Sequence, residues 1–286
     1  MQKFIKIVLL SSLAALSVYS FGPSAETIVN KKKPIAEKTS PTATAGSETK
    51  TSVDKSDAKI TAIKSKLKAA YPDVNLDFIQ ESPVKGWFQA GAGNTVLYIS
   101  DDAHHMMVGE LLDLNLAEPD RNITENLRRN FRLKLLNGLN VKDMIVYPVK
   151  ADKKKQATVI AFIDSDCGYC HKLHEEKDKL AEAGIELHYL AFPRAGVGSE
   201  TYKHMVSAWC AEDRGKTFDA LMKKEEIAQK ECTNPVADQF LLGQKIGLTG
   251  TPTLLFEDGT LIPGYMPADK LAEEAIKHVK KSSTSQ

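Results

Sequence analysis

The sequence predicts two folded domains: a small α+β domain of one helix on an antiparallel sheet, then an α/β domain carrying a helical insertion. Three observations predict this. An apolar run, 158–163, leads into Cys167-Gly168-Tyr169-Cys170 and then into a helical stretch, 171–183, the order of a strand, a turn and a helix. Short strand-like runs separated by Asn and Asp occupy about sixty residues upstream. The chain has 286 residues, room for about two domains.

The elements follow in order. Residues 1–25 resemble an export signal. Lys3 and Lys6 give the positive start, 7–21 the apolar run, and Ser20 and Ala25 are alternative last residues of a cleaved peptide. An uncleaved anchor is the alternative, although the run falls short of the ~20 apolar residues of a membrane span. No cysteine lies near it, which excludes a lipoprotein anchor there. Residues 26–56 are rich in Thr, Ser, Lys, Ala and Pro and cannot bury enough surface to offset ordering entropy. They are expected to form a disordered tether.

The first domain is expected over 57–116. Ile60, Ile63, Leu67 and Ala70 fall at helical spacing, with Pro72 as the stop. Strands are expected at 76–80, 87–90, 95–100 and 105–108, with turns at Asn94 and Asp101-Asp102. An apolar edge strand in so small a domain invites pairing with a second copy. His104 and His105 are taken as turn residues leading into a strand, not as ligands. A linker, 117–140, holds a helix over 123–136. Asn122 is its N-cap, Glu125 the capping-box partner, and Gly138 the stop. With domain-like patterns on both sides, it is expected to be a spacer.

The second domain is expected over 141–282. A strand at 185–191 follows the first helix, then a helical insertion over about 200–247, whose last helix opens with Asn234 as N-cap and Pro235 as N1. A strand at 253–256, an Asp258-Gly259 turn, a return strand at 260–263 and a helix from Pro267 complete the order.

Composition narrows the chemistry. The net charge is +1, without the basic excess of a nucleic-acid binder. Strand, Cys-x-x-Cys and helix in succession place Cys167 at a helix N-terminus, where unpaired N–H groups and the macrodipole favour the thiolate. A thiolate attacks disulfides. With His171 the string also matches a c-type haem attachment site, and Met205, Met222 or Met266 would then be the second axial ligand. Haem attachment needs no strand before the motif, whereas a thioredoxin-like site does. Zinc would need all four cysteines, but Cys210 and Cys232 do not form a second short knuckle. A purely structural bridge across such a short loop gains little unfolded-state entropy. No metal and no cofactor are therefore expected.

Export permits disulfides. Four cysteines suggest two pairs, Cys167–Cys170 by proximity and Cys210–Cys232 by elimination. Two free buried thiols are the alternative for the second pair. A Cys210–Cys232 bridge would stabilise by roughly 3 kcal/mol in the chain-entropy model. Gly250-Thr251-Pro252-Thr253 lies just before a strand, roughly eighty residues after the cysteine motif. In thioredoxin-like folds a cis-proline here faces the two cysteines. Lacking an N–H, it exposes neighbouring backbone, and Thr251 would bind an extended substrate by strand-like pairing. A trans proline opening a strand is the plainer alternative.

These residues resemble the bacterial disulfide isomerases of the DsbC/DsbG type, closest to the DsbC branch. The resemblance covers about residues 57–282 and rests on Cys167-Gly168-Tyr169-Cys170-His171-Lys172-Leu173-His174, Gly250-Thr251-Pro252-Thr253 and the Cys210/Cys232 pair. Ser82-Pro83-Val84-Lys85-Gly86 and Val96-Leu97-Tyr98-Ile99-Ser100-Asp101-Asp102 add to it. The DsbG branch typically has proline after its first cysteine; here Gly168 stands there. The resemblance implies a cystatin-like N-terminal dimerisation domain, a thioredoxin-like catalytic domain, and a homodimer with two redox sites facing a shared apolar cleft. It also implies misoxidised proteins as substrates, and recharging by a membrane thiol reductase of the DsbD kind. The tether departs from the pattern, leaving a periplasmic protein either soluble after signal cleavage or anchored.

On this reading Cys167 attacks a wrong disulfide. A substrate thiol then displaces it, which is isomerisation, or Cys170 does, which is reduction. Gly168 and Tyr169 tune the site, and His171 either adds positive charge when protonated or stands in solvent on the helix face. Ala161, six residues before Cys167, stands where thioredoxin carries a buried acid, so the expected poise is more oxidising. Cys210–Cys232 is assigned to structure. A disulfide-forming oxidase and a thiol-independent chaperone are the other readings.

Overall fold

The strand runs 157–163 and 185–191 alternate between two apolar faces, so a sheet with a layer on each side is the arrangement that buries both. The computed structural model describes residues 48–282 and contains that sheet. The expected export signal, 1–25, and most of the expected tether lie outside the described residues. The end of the tether does not stay irregular: helix α1 runs Glu48–Ala70. Its inward residues Ile63 and Leu67 pack on Phe88, Ala90, Leu97 and Ile99 of the sheet beneath, an anchor strong enough to carry the helix back beyond its apolar stripe.

That sheet is an antiparallel meander of β1 (Phe78–Glu81), β2 (Trp87–Ala92), β3 (Thr95–Ser100) and β4 (Met106–Val108), in that order. Ala92 faces Thr95, so Gly93 and Asn94 make a two-residue turn. β4 is a short edge whose residues are all exposed, Val108 at 65 %.

The second sheet has the order β5-β7-β6-β8-β9. Its strands are β5 (Ile145–Tyr147), β6 (Ala157–Ile163), β7 (Ile185–Ala191), β8 (Thr253–Phe256) and β9 (Leu261–Pro263). β6 and β7 run parallel; every other pair is antiparallel. β5 was not foreseen, being three residues long. Val159, Ala161, Ile163, Leu187 and Tyr189 face one core, shared with α3 (Gly168–Glu175), α4 (Lys177–Glu182), α5 (Glu200–Trp209), α6 (Arg214–Met222) and α8 (Ala268–Ser282). Phe162, Leu190 and Leu255 face the other, beneath α7 (Val236–Lys245).

The stretch expected as one helix over 171–183 is two, parted at Glu176. Glu176 Oε2 accepts from the Ala268 N–H at 2.5 Å and so caps the start of α8. α7 begins one residue later than expected: Pro235 is its cap residue, and Asn234 Oδ1 accepts from Val236 N.

The linker helix α2 (Ile123–Leu136) has the expected cap, Asn122 Oδ1 accepting from Glu125 N at 2.9 Å. It ends on Asn137, and Gly138 follows without a left-handed turn. It is not a bare spacer. Leu135 and Leu136 pack into the core beneath the second sheet, while Thr124 Oγ1 lies 2.6 Å from Tyr98 Oη of β3. Arg132, 2 % exposed, donates to Gly259 O at 2.6 Å, and Arg129 pairs with buried Asp258 at 3.0 Å. Its apolar stripe needed a cover, and the β8–β9 hairpin supplies both that cover and partners for its arginines.

Gly259 therefore has two reasons to be glycine. Its φ is +82°, and a Cβ there would meet Arg129 O at 2.7 Å. Gly259→Ala is expected to destabilise by about 2 kcal/mol, read by urea unfolding, with faster amide exchange over 123–136. Unchanged stability would contradict the docking of α2 on this turn.

Candidate active site

Cys167 is the cap residue of α3, at φ −94° and ψ 117°, and its side chain makes no capping bond. The β6 strand delivers it there. Asp164 makes the turn possible: its carbonyl accepts from Cys167 N at 3.1 Å, and its Oδ1 accepts from Asp166 N at 2.7 Å. Asp164 Oδ2 takes the backbone and Nε donors of Arg194, so a buried carboxylate is fully bonded under the loop. These ties fix the loop that leads into the first turn of α3, where Cys170 N and His171 N donate to Cys167 O.

The cysteines are both free thiols, and their surroundings differ. Cys167 retains 4 % exposure beside exposed Gly168 and Tyr169; Cys170 has none. Burial pushes the Cys167 thiol up, but hydrogen bonds from the Thr251 side, from Cys170 and from Tyr169 N–H outweigh it, leaving the pKa below that of an ordinary thiol. Burial dominates at Cys170 and pushes its pKa far up. Cys167 is the more readily ionised of the two, and Cys170 is held as a thiol. This burial also speaks against haem attachment, because the Cys170 sulfur has no exposed surface at which a thioether could form.

The Thr251–Pro252 peptide is cis, as expected, and Cys167 Sγ lies 3.1 Å from Thr251 O. The structure thus brings Thr251 and Pro252 to Cys167 across 84 positions of sequence. His171, expected to tune the site by charge or to stand in solvent, is half-buried. Its Nε2 donates to Ser165 O at 2.6 Å, pinning the ring against the active-site loop. Tyr169 is 58 % exposed, lies against Tyr265 at 6.3 Å between centroids, and carries the Lys172 ammonium over its ring at 5.1 Å. Gly168 has open space around it. Ala161 is buried on β6 below Cys167, so no acid occupies that position.

Cys210 and Cys232 are joined, with Cα atoms 5.7 Å apart. The bridge ties the end of α5 to the irregular stretch before α7 and removes both sulfurs from any four-cysteine metal set. His104 pairs with Asp102 at 3.1 Å in the turn before β4, the plain role expected of it.

Two groups escaped the sequence reading. Asp164 was hidden because its role is to bind backbone and Arg194, a long-range partner. His174 was hidden among the helix residues of α3, although its spacing of four from Cys170 puts both on one face. It is buried beside Tyr189, Tyr147 and Asp219. No helix among the described residues is long and apolar enough to cross a membrane.

Comparison with known proteins agrees with this architecture. A family described as thioredoxin-like domain matches residues 147–279, and one described as disulfide bond isomerase protein N-terminal domain matches 51–125. The thiol:disulfide interchange protein DsbC of Escherichia coli K12 is 40 % identical over 205 residues, 72 % of this chain and 83 % of that protein. DsbC of Dickeya dadantii is 38 % identical over 68 % of this chain and 77 % of its own length. DsbC of Haemophilus influenzae is 33 % identical over 73 % and 87 %.

The thiol asymmetry sets an expected labelling pattern. Iodoacetamide should modify Cys167 alone in the reduced native protein, with a half-maximal pH below the ~8.5 of a free cysteine. Cys170 should react only after denaturation. Equal labelling of both, or an ordinary thiol pH profile at Cys167, would refute the asymmetry.

Proposed function

The chain belongs to the DsbC family of thiol:disulfide interchange proteins, and on that footing we propose that Cys167 is its nucleophile and Cys170 its resolving thiol. It is a disulfide isomerase and oxidoreductase with a thioredoxin-like domain. The observation that carries the assignment of roles is the unequal environment of the two sulfurs beside the cis Thr251–Pro252 peptide.

Cys167 thiolate attacks one sulfur of a wrong substrate disulfide, and the other sulfur leaves as a thiolate. From the mixed disulfide, a second substrate thiolate attacking the substrate sulfur releases Cys167 and completes isomerisation. Attack by Cys170 on Cys167 instead releases reduced substrate and leaves the Cys167–Cys170 disulfide. Thr251 and Pro252 present backbone to an extended substrate segment, while Gly168, Tyr169 and pinned His171 shape the approach. Because the thiolate is stabilised in the reduced form, the active-site disulfide is an oxidising one. Cys210–Cys232 serves structure.

The first domain joins two copies in this reading. The exposed edge β4, with Met107 55 % and Val108 65 % exposed, offers an apolar strand to a second copy. Two sites would then face one cleft able to hold unfolded chains, which supports chaperone activity. The export signal read in residues 1–25 and the Cys210–Cys232 bridge support a periplasmic location. There a membrane thiol reductase of the DsbD kind would return Cys167–Cys170 to the reduced state.

Recovery of active ribonuclease from its scrambled, fully oxidised form tests the assignment. Wild type in glutathione buffer should restore activity, Cys167→Ala should not, and Cys170→Ala should keep part of the isomerisation. Oxidation of reduced ribonuclease without rescue of the scrambled form would instead indicate a disulfide-forming oxidase. Suppression of aggregation with no thiol activity would indicate a chaperone.

A further inference from the structure

Reduction by this site has an unmet requirement. Cys170 must lose a proton to attack Cys167, yet it is fully buried and its thiol form is strongly favoured. The position on β6 where an acid would accept that proton holds Ala161. A different acceptor must lie within reach of the inner face of α3.

His174 occupies that face. It follows Cys170 by four residues, one helical turn away, and is 4 % exposed. Its Nδ1 lies 3.4 Å from Tyr189 Oη, and Tyr189 is wholly buried in the same core as Cys170. Its Nε2 lies 3.1 Å from Asp219 Oδ1, though off the ring N–H axis, so no aligned hydrogen bond satisfies it. The carboxylate beside Nε2 keeps the proton on that nitrogen and leaves the Nδ1 lone pair toward Tyr189. Asp219 is about one-third exposed, and its oxygens also meet Tyr147 Oη at 2.8 Å and Lys177 Nζ at 3.8 Å. Tyr189 stands opposite Ala161 on the neighbouring strand, so Tyr189, His174 and Asp219 lead from beside the vacant acid position toward solvent.

We propose that His174, through the Tyr189 hydroxyl, accepts the Cys170 proton during resolution of the mixed disulfide. This deepens the proposed roles of the two cysteines and rests on them. The Cys170 S–H proton passes to Tyr189 Oη as the Tyr189 proton passes to His174 Nδ1. Cys170 thiolate then attacks Cys167 Sγ, the Cys167–substrate bond breaks, and the substrate sulfur leaves as a thiolate. The imidazolium proton returns to solvent along Asp219. The Asp219 carboxylate favours the imidazolium, and Lys177 and His171 oppose it. Tyr147 and Tyr189 remain protonated, burial raising both. Burial, then the Lys177 charge, holds His174 below the usual histidine pKa, at about 4, so the resting ring is neutral at neutral pH.

The test follows decay of a mixed disulfide between Cys167 and a thionitrobenzoate group in His174→Gln and Tyr189→Phe. Iodoacetamide labelling of Cys167 is run in parallel. Resolution should slow about 100-fold at pH 7 in His174→Gln. It should change from nearly flat across pH 6–8 to rising about tenfold per pH unit, as hydroxide replaces the base. Cys167 labelling should keep its wild-type pH profile. Tyr189→Phe, which removes one oxygen only, should show the same split and stands in if His174→Gln does not fold. Wild-type resolution rates and pH profile in a folded variant would overturn the proposal, as would equal slowing of both reactions. Loss of Cys167 labelling in wild type would instead overturn the nucleophile assignment.

Discussion

Everything at this site depends on the depth difference between two sulfurs one helical turn apart. α3 lies on the second sheet so that its first residue meets the surface and its inward face does not. Cys167 collects hydrogen bonds from the open end of the helix. Cys170 collects apolar neighbours. Burial raises both thiols, but only Cys167 has donors enough to reverse the effect. On the proposed roles, chemically similar groups are thereby given different work.

The remaining architecture serves to hold that difference in place. Asp164 is bonded on both carboxylate oxygens, which fixes the loop ahead of Cys167. Glu176 links the α3–α4 junction to the start of α8. The cis Thr251–Pro252 peptide sets a carbonyl against the sulfur from the β8 side. On the opposite face of the sheet, α2 joins the first domain to the hairpin through Arg129, Arg132 and Asp258. The small domain is consequently attached to the catalytic sheet through a packed helix, not through a free connection.

Much of this was legible in the sequence because it depends on local rules. The cysteine motif after a strand, the Asp258-Gly259 turn, the Asn122 cap and the partition of four cysteines into two pairs rest on spacing and residue type. The stretch 48–56, expected as the end of a tether, was misread because composition carries no information about what a helix will pack on. α1 extends to Glu48, continuing the segment whose Ile63 and Leu67 pack on the first sheet. The break at Glu176 and the docking of α2 were equally hidden, since each is set by a partner some 90 or more residues away. His174 is the instructive miss. Its spacing from Cys170 was visible, but its significance needed Tyr189 and Asp219, contributed by another strand and another helix.

The most direct measurement is to locate the substrate bond itself. Wild-type protein is mixed with scrambled ribonuclease, quenched in acid within its first turnovers, digested, and read by mass spectrometry for the cysteine joined to ribonuclease. The account expects that cysteine to be Cys167 in every mixed disulfide recovered, with Cys170 found only as a thiol or bonded to Cys167. Ribonuclease joined to Cys170 at a comparable level would contradict it, because a sulfur that deeply buried would then be meeting substrate.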